Sequence, residues 1–174
     1  MSSSPVSMYS ASVPVFIHTL QNLAHILRKG EAHARDKAVT DEVMLQTRLI
    51  PDMLPLVRQV QIATDMVKNG SARLAAIDPP PFPDEETTFE ALYERIERAI
   101  AFMRSLQPEQ IDGSEERDIV LNFGKRVLEY KGQAYLFEFV LPNLFFHVTT
   151  AYAILRQAGA PLGKPDFQGV GAER

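Results

Sequence analysis

Four separate segments of this chain have apolar side chains at steps of three and four residues, the spacing that buries one face of an α-helix. They predict helices over about residues 8–29, 52–69, 89–106 and 133–158. Helices that each have one apolar face are most simply buried against one another in a four-helix bundle. The sequence therefore predicts an all-α fold, and its 174 residues are the size of one domain, 1–174.

Glycine and proline residues set the predicted ends of these helices. Gly30, Gly70 and Gly159 each follow an apolar stripe and are predicted to end the first, second and last helix. Four prolines within residues 78–86 predict a stiff connector, because proline lacks an N–H donor and extends the residue before it. Pro142 lies in the middle of the last predicted helix, where it predicts a kink or a break.

Three other features add detail to the predicted architecture. Thr87 and Glu90 fit the S/T-x-x-E capping box at the start of the third helix. Alternation on both sides of Gly124 predicts a small β-hairpin over residues 118–131, before the last helix. The polar residues 31–46 are predicted to be part loop and part short helix, and the tail from Ala160 onward to be a loop.

Composition and motif content exclude several classes of function. Without cysteine there is no disulfide framework, no thiolate-ligated zinc and no thiol nucleophile. A net charge of −4 with both signs interspersed gives no basic stripe, so we expect no nucleic-acid partner. Polar residues such as His18, Glu138 and Arg156 interrupt the apolar segments, which predicts no membrane span and a soluble, cytoplasmic protein. The common phosphate-loop, hydrolase, EF-hand and H-E-x-x-H motifs are missing from the sequence.

The most informative polar residue is His147, which borders the strongest apolar stripe of the chain. Asn143 lies four residues earlier, so the two side chains share a helix face. Gln59 interrupts the apolar run of the second predicted helix. Together the three residues predict a polar pocket inside an apolar bundle. The alternative is a core histidine that bonds to a backbone carbonyl or to Asn143. His18 and His25 flank the first stripe and are predicted to be boundary residues.

Three stretches together are similar to a known family: "YSASVPVFIHTLQNLAHIL", "PDMLPLVRQVQIATDMVK" and "LPNLFFHVTTAYAILRQAGAPLGKPDF". They resemble an uncharacterised family, a domain of unknown function within the DinB/YfiT-like helical bundles. The resemblance implies an up-down-down-up four-helix bundle, often a homodimer. It also implies a pocket that in many relatives holds a divalent metal on three histidines, one from the second helix and two from an H-x-x-x-H in the last. Relatives of known activity include thiol-dependent transferases and isomerases.

Carried over to this chain, the resemblance places His147 at the second histidine of H-x-x-x-H, Asn143 at the first, and Gln59 at the second-helix ligand. Amide oxygens bind first-row metals poorly compared with imidazole. We therefore expect that binding of a divalent metal such as Zn or Ni is weakened or lost.

Three hypotheses follow from these residues. The leading one is a DinB-like protein with a small-molecule pocket near His147, which acts there as an acid/base or hydrogen-bonding group. The second is a transferase or isomerase for a small substrate that keeps a weakly held metal. The third is a non-catalytic dimeric binding or scaffold protein in which His147 is only a satisfied core residue.

Overall fold

A computed structural model of the chain describes residues 6–170, and its ordered elements are helices and one hairpin. The first half contains α1 (Val13–Asp36), α2 (Asp41–Leu45), α3 (Leu56–Leu74), α4 (Phe89–Ser105) and α5 (Pro108–Ile111). The second half contains β1 (Asp118–Phe123), β2 (Arg126–Lys131), α6 (Gly132–Ala134), a π-helical segment (Tyr135–Val140), α7 (Leu141–Gln157) and α8 (Lys164–Gln168). The predicted predominantly helical fold with a small hairpin is confirmed.

The core lies between four long helices, each of which buries its predicted apolar stripe. Helix α1 packs against α4 and α7, and α3 packs against the same two helices. The apolar stripe that runs from Val140, the residue before α7, to Leu155 is almost fully buried. Burial of this kind stabilises the fold by about 1.5–3 kcal/mol for each large apolar side chain.

Two glycines that were predicted to end helices lie instead inside α1 and α3. A Cβ atom on Gly30 would lie 2.6 Å from a methyl group of Leu155, and one on Gly70 would lie 2.9 Å from a methyl group of Val140. Both glycines therefore allow these helices to approach the last helical segment closely, and the predicted ends were wrong for this reason. The prediction for Gly159 is confirmed, because it follows α7 with φ +96°.

The start of α4 is capped one residue later than predicted. Thr88, with extended backbone, accepts a hydrogen bond from the N–H of Ala91 at 3.2 Å through its side-chain oxygen. The Thr87 and Glu90 capping box is therefore wrong by one residue, although the helix itself is confirmed.

Pro142 lies in the first turn of α7, directly after the π-helical segment. Proline donates no backbone hydrogen bond and crowds the carbonyl four residues before it, so regular α-helical bonding cannot pass through this point. A wider π-type turn accommodates the interruption. The predicted break in helix regularity is confirmed, and it places Phe139 and Asn143 on successive turns at the junction.

The predictions for the hairpin and for the C-terminal tail differ in how they compare with the structure. Strands β1 and β2 pair antiparallel around Gly124, whose φ of +61° suits a turn, so the hairpin prediction is confirmed. The tail contains helix α8, which corrects the prediction of a loop from Ala160 onward. Residues 171–174 of that tail, and residues 1–5 of the predicted single domain, lie outside the described part.

The helical segment Gly132–Gln157 is long and apolar enough to cross a membrane, judged by length and composition alone. Within its most apolar window, 44% of the residues are buried inside the protein. The α7 part of this segment packs on α1 and α3.

Candidate functional site

The structure brings together two of the three residues that the sequence predicted for the site. His147 on α7 is half-buried, and its Nδ1 lies 2.8 Å from Oε1 of the buried Gln59 on α3. The Gln59 amide nitrogen donates to the carbonyl of Leu54 at 2.9 Å, which fixes the orientation of the amide. The oxygen of Gln59 can only accept, so Nδ1 of His147 carries the proton.

The charge state of His147 follows from its surroundings. Burial lowers the pKa of the imidazole below its usual value of 6.5, because the charged form loses hydration. The ring is therefore neutral at pH 7, with its proton on Nδ1 and a lone pair on Nε2. A neutral histidine held in one tautomer by an amide can accept a proton or a hydrogen bond at Nε2.

The third predicted residue, Asn143, is turned to a neighbouring cavity. Its amide nitrogen donates to the Phe139 carbonyl at 2.6 Å, one turn earlier in the helix. Asn143 lines a cavity of about 480 Å³ between α3, the hairpin and the π-helical segment. His147 and Gln59 do not line that cavity, so the structure separates the predicted polar pocket into a hydrogen-bonded pair and a cavity beside it.

These residues do not fit a metal site of the kind that the resemblance implied. The Gln59 oxygen and the protonated His147 nitrogen satisfy each other, and Asn143 presents its amide nitrogen to a backbone carbonyl. Amide groups are weak ligands for zinc or nickel. Between residues 6 and 170, no group of three or more His, Cys, Asp or Glu side chains is arranged to hold a metal ion.

Sequence reasoning missed an ionic cluster around Arg95, whose side chain is 1% exposed. Its guanidinium lies 3.0 Å from Asp65, 3.1 Å from Asp84 and 3.0 Å from Glu86. The last two belong to the proline-rich connector, which this arginine therefore holds against α3 and α4. A signal was present in the sequence, because Arg95 occupies a position within the apolar stripe of α4.

Phe82 anchors the same connector through its aromatic ring. Lys68 and Arg98 each lie 4.4 Å from the ring centroid, and Arg95 lies 5.5 Å from it. Cations at this distance from an aromatic face are attracted by its negative potential. The stiff connector predicted from the prolines is thus also fixed in place by its side chains.

His18 and His25 lie at the side of α1, as predicted for boundary residues. His18 is 3.1 Å from the Asn22 amide, and His25 is 2.9 Å from Asp166 of α8. Lys29 contacts the same Asp166 carboxylate at 2.8 Å. The two contacts to Asp166 attach α8 to α1.

We expect part of this attachment to be lost in acid. Burial alone would raise the pKa of Asp166, but bonds from Lys29, His25 and the Gly163 N–H outweigh it and lower that pKa from 3.8 to about 2. A lowered carboxyl pKa gives stability that is complete above about pH 5 and declines as the pH falls toward about 2. Denaturation at successive pH values should show this decline, and Asp166→Asn should remove it. An unchanged slope in the variant would contradict the assignment.

The helical core, the hairpin and the polar pair at the last helix define a class, the DinB-like helical proteins. The crystal structure of a DinB family member protein from Shewanella denitrificans is similar to this chain, with a TM-score of 0.84 and 35% sequence identity. The similarity covers 95% of this chain and 94% of that chain.

The family model described as a domain of unknown function, DUF1993, matches residues 8–168. The chain belongs to the DUF1993 family, and the resemblance to an uncharacterised DinB-like family is confirmed. A comparison with curated proteins finds no match.

Proposed function

We propose that this protein binds a small molecule without a metal, in the cavity beside Asn143 and the His147–Gln59 pair. The main support is the hydrogen bond between His147 Nδ1 and Gln59 Oε1, which engages the amide oxygen that the resemblance would assign to a metal. A cavity of about 480 Å³ is within the range of small-molecule sites. In this proposal His147 is a positioning residue beside the site, because its bond to Gln59 holds α7 against α3 one turn after the cavity-lining Asn143.

The proposal includes the up-down-down-up order that the resemblance implied. Helices α1 and α7 would run in one direction, and α3 and α4 in the other, with the connector crossing between α3 and α4. A parallel arrangement of α1 and α7 is supported by the contacts of Gly30 with Leu155 and of His33 with Ala158. An antiparallel arrangement of α3 and the last helical segment is supported by the contacts of Gln59 with His147 and of Gly70 with Val140. An antiparallel arrangement of α1 and α4 is supported by the contacts of Glu31 with Tyr93 and of Tyr9 with Asp112.

The rival hypothesis is a metal-dependent transferase or isomerase with a weakly held Zn or Ni ion. Elemental analysis of protein purified without a chelator or a histidine tag separates the two. We expect far less than one metal per chain in wild type, even after exposure to zinc, nickel and manganese. The double variant Gln59→His, Asn143→His restores three imidazoles and should gain metal, which serves as a positive control.

About one metal per wild-type chain, lost in His147→Ala, would overturn the metal-free proposal. Small-molecule binding has its own readout in the same preparations, by thermal-shift screening with neutral and charged compounds. Met66→Trp places an indole in the cavity and should abolish any shift, whereas Met53→Trp, outside the cavity, should retain it. Shifts that persist in Met66→Trp would place the ligand elsewhere.

The homodimer and the cytoplasmic location are also proposals. The homodimer is supported by Phe145 and Phe146, which are 40% and 56% exposed beside a shallow apolar groove on α7. Paired copies could bury these rings symmetrically, as two-fold interfaces do. This surface also supports the scaffold hypothesis, under which His147→Phe should fold at least as well as wild type and leave ligand binding unchanged.

A further inference from the structure

The cavity beside Asn143 has walls of two different kinds, and one of them is apolar. Phe123 at the end of β1 and Phe139 on the π-helical segment face each other with ring centroids 6.4 Å apart. Phe123 is 55% exposed although it lines a cavity, so a bound molecule would cover it. The remaining apolar residues that line the cavity are Ile62, Met66, Leu121 and Leu128. This wall suits an aromatic or aliphatic body.

The second wall is polar and carries excess positive charge. Arg73 of α3 and Arg126 of β2 both line the cavity. Within residues 6–170, neither arginine has a carboxylate at ion-pair distance, and Arg73 donates only to the hydroxyl of Tyr135, at 3.1 Å. Arginine binds carboxylate and phosphate oxygens through two parallel N–H bonds.

The one acidic residue that lines this cavity does not cancel the two arginines. Asp65 lies 3.0 Å from both Lys68 Nζ and Arg95 Nη2, so its charge is already balanced inside the ionic cluster. The other polar groups that line the cavity are the side-chain amides of Asn69 and Asn143. A ligand would therefore meet a field that favours an anion and two amides that can bond to neutral polar atoms.

We infer that the cavity binds an amphipathic anion, with an acidic group at Arg73 and Arg126 and an apolar body between Phe123, Phe139 and Met66. The inference rests on the proposed small-molecule function and names the class of ligand. The anionic group comes from a carboxylic acid or from a phosphate monoester, since both present paired oxygens to arginine.

The test uses one apolar body with different head groups. Phenylbutanoate, phenylbutyl phosphate, phenylbutanamide and phenylbutylamine are titrated into the full chain, and binding is followed by calorimetry or by ligand-observed NMR. We expect at least one of the two acids to bind about tenfold or more tightly than the amide, with the amine weakest, as for charged compared with neutral hydrogen bonds. The stronger of the acids identifies the head group.

Arginine variants test where the acid binds. Arg126→Gln should weaken binding of the acid about tenfold or more and leave binding of the amide unchanged, because the residue is exposed on the hairpin and its side chain has no ion pair within residues 6–170. Arg73→Gln should act in the same way, with its melting temperature checked because of the Tyr135 bond. Arg104→Gln, an exposed arginine on α4 outside the cavity, is the matched control.

The possible results distinguish failure of the anion assignment from failure of the proposed small-molecule function. Equal binding of acid, amide and amine, or acid binding unaffected by Arg126→Gln and Arg73→Gln, would overturn the anion assignment and leave a small-molecule site. Binding of none of the probes, together with no hit in the thermal-shift screen, would overturn both.

Discussion

Replacing Arg95 by methionine should lower the free energy of unfolding by about 3 kcal/mol, which makes it one of the two most damaging substitutions that we expect. The arginine is 1% exposed and forms ion pairs with Asp65, Asp84 and Glu86 together. Methionine fills much of the same volume but removes the cation that the three carboxylates share, and it leaves Glu86 without an ion pair while Asp65 keeps Lys68 and Asp84 keeps Arg58. The loss should be measured by urea denaturation, which reports the free energy and the exposed surface separately.

Arg98 supplies the control for this experiment. It lies one turn further along α4, is exposed, and also contacts the ring of Phe82. Because an exposed cation contributes little, Arg98→Met should cost less than about 1 kcal/mol. Arg95→Lys should fall between the two, since an ammonium retains charge but cannot form several directed bonds in one plane. Equal losses for Arg95→Met and Arg98→Met would show that the buried ion pairs contribute no more than the contact with the ring.

The Arg95 cluster also determines the order of the connector. Arg95 donates to the carbonyl of Pro83, and Arg98 donates to the carbonyl of Pro81. Without Arg95 the connector keeps its stiff prolines but loses its main attachment to α3 and α4. Amide hydrogens of residues 84–88 should then exchange faster in Arg95→Met than in wild type.

The second large effect is expected for Gly132→Ala, which should cost about 2 to 3 kcal/mol. Gly132 joins β2 to the last helical segment, and a Cβ atom there would overlap the backbone oxygen of Ser114. Its φ is not positive, so the requirement is space and not backbone conformation. The obstructing atom belongs to the main chain and cannot rotate away. The neighbouring bond from Gln133 N to the Glu115 carbonyl, 2.9 Å, holds the same junction together.

Gly30→Ala provides the comparison, because the glycine there lies close to a side chain and not to the main chain. There the obstructing atoms are methyl groups of the Leu155 side chain, which can shift, and alanine gains up to about 1 kcal/mol of helix propensity over glycine. We therefore expect Gly30→Ala to remain within about 1 kcal/mol of wild type in urea denaturation. If Gly132→Ala were as mild as Gly30→Ala, the main-chain contact with Ser114 would not be a constraint on folding.

Gly132→Ala should also change the shape of the cavity, because it displaces the hairpin. The hairpin residues that line the cavity are Leu121, Phe123, Arg126 and Leu128. Loss of stability and loss of ligand binding should therefore occur together in this variant. In Arg95→Met the apolar wall of the cavity should be kept, since Arg95 does not line the cavity, but Asp65 there loses one of its two cations and an anion should bind more weakly.

The His147–Gln59 pair and Asn143 were named from the sequence, but the other residues that line the cavity were not, and this limit has a physical cause. The i, i+4 spacing placed Asn143 and His147 one helical turn apart. The polar interruption at Gln59 indicated where α3 would contact His147. Spacing alone could not predict that the Asn143 amide would donate to the Phe139 carbonyl, or that Asn143 would line the cavity apart from His147 and Gln59. That outcome depends on the π-helical segment and on where the hairpin packs.

The sequence by itself determined which four segments form the long helices, where the hairpin turns, and which stripes form the core, because hydrophobic periodicity and turn residues act over a few neighbouring positions. Only the tertiary structure decided that Gly30 and Gly70 lie inside helices, that Arg95 is buried, and that Arg73 and Arg126 share a cavity. Each of these depends on a contact between residues far apart in the chain, such as Gly30 with Leu155 or Arg95 with Asp65. Space and charge at such contacts are set by the packing of helices against one another, which local sequence patterns do not encode.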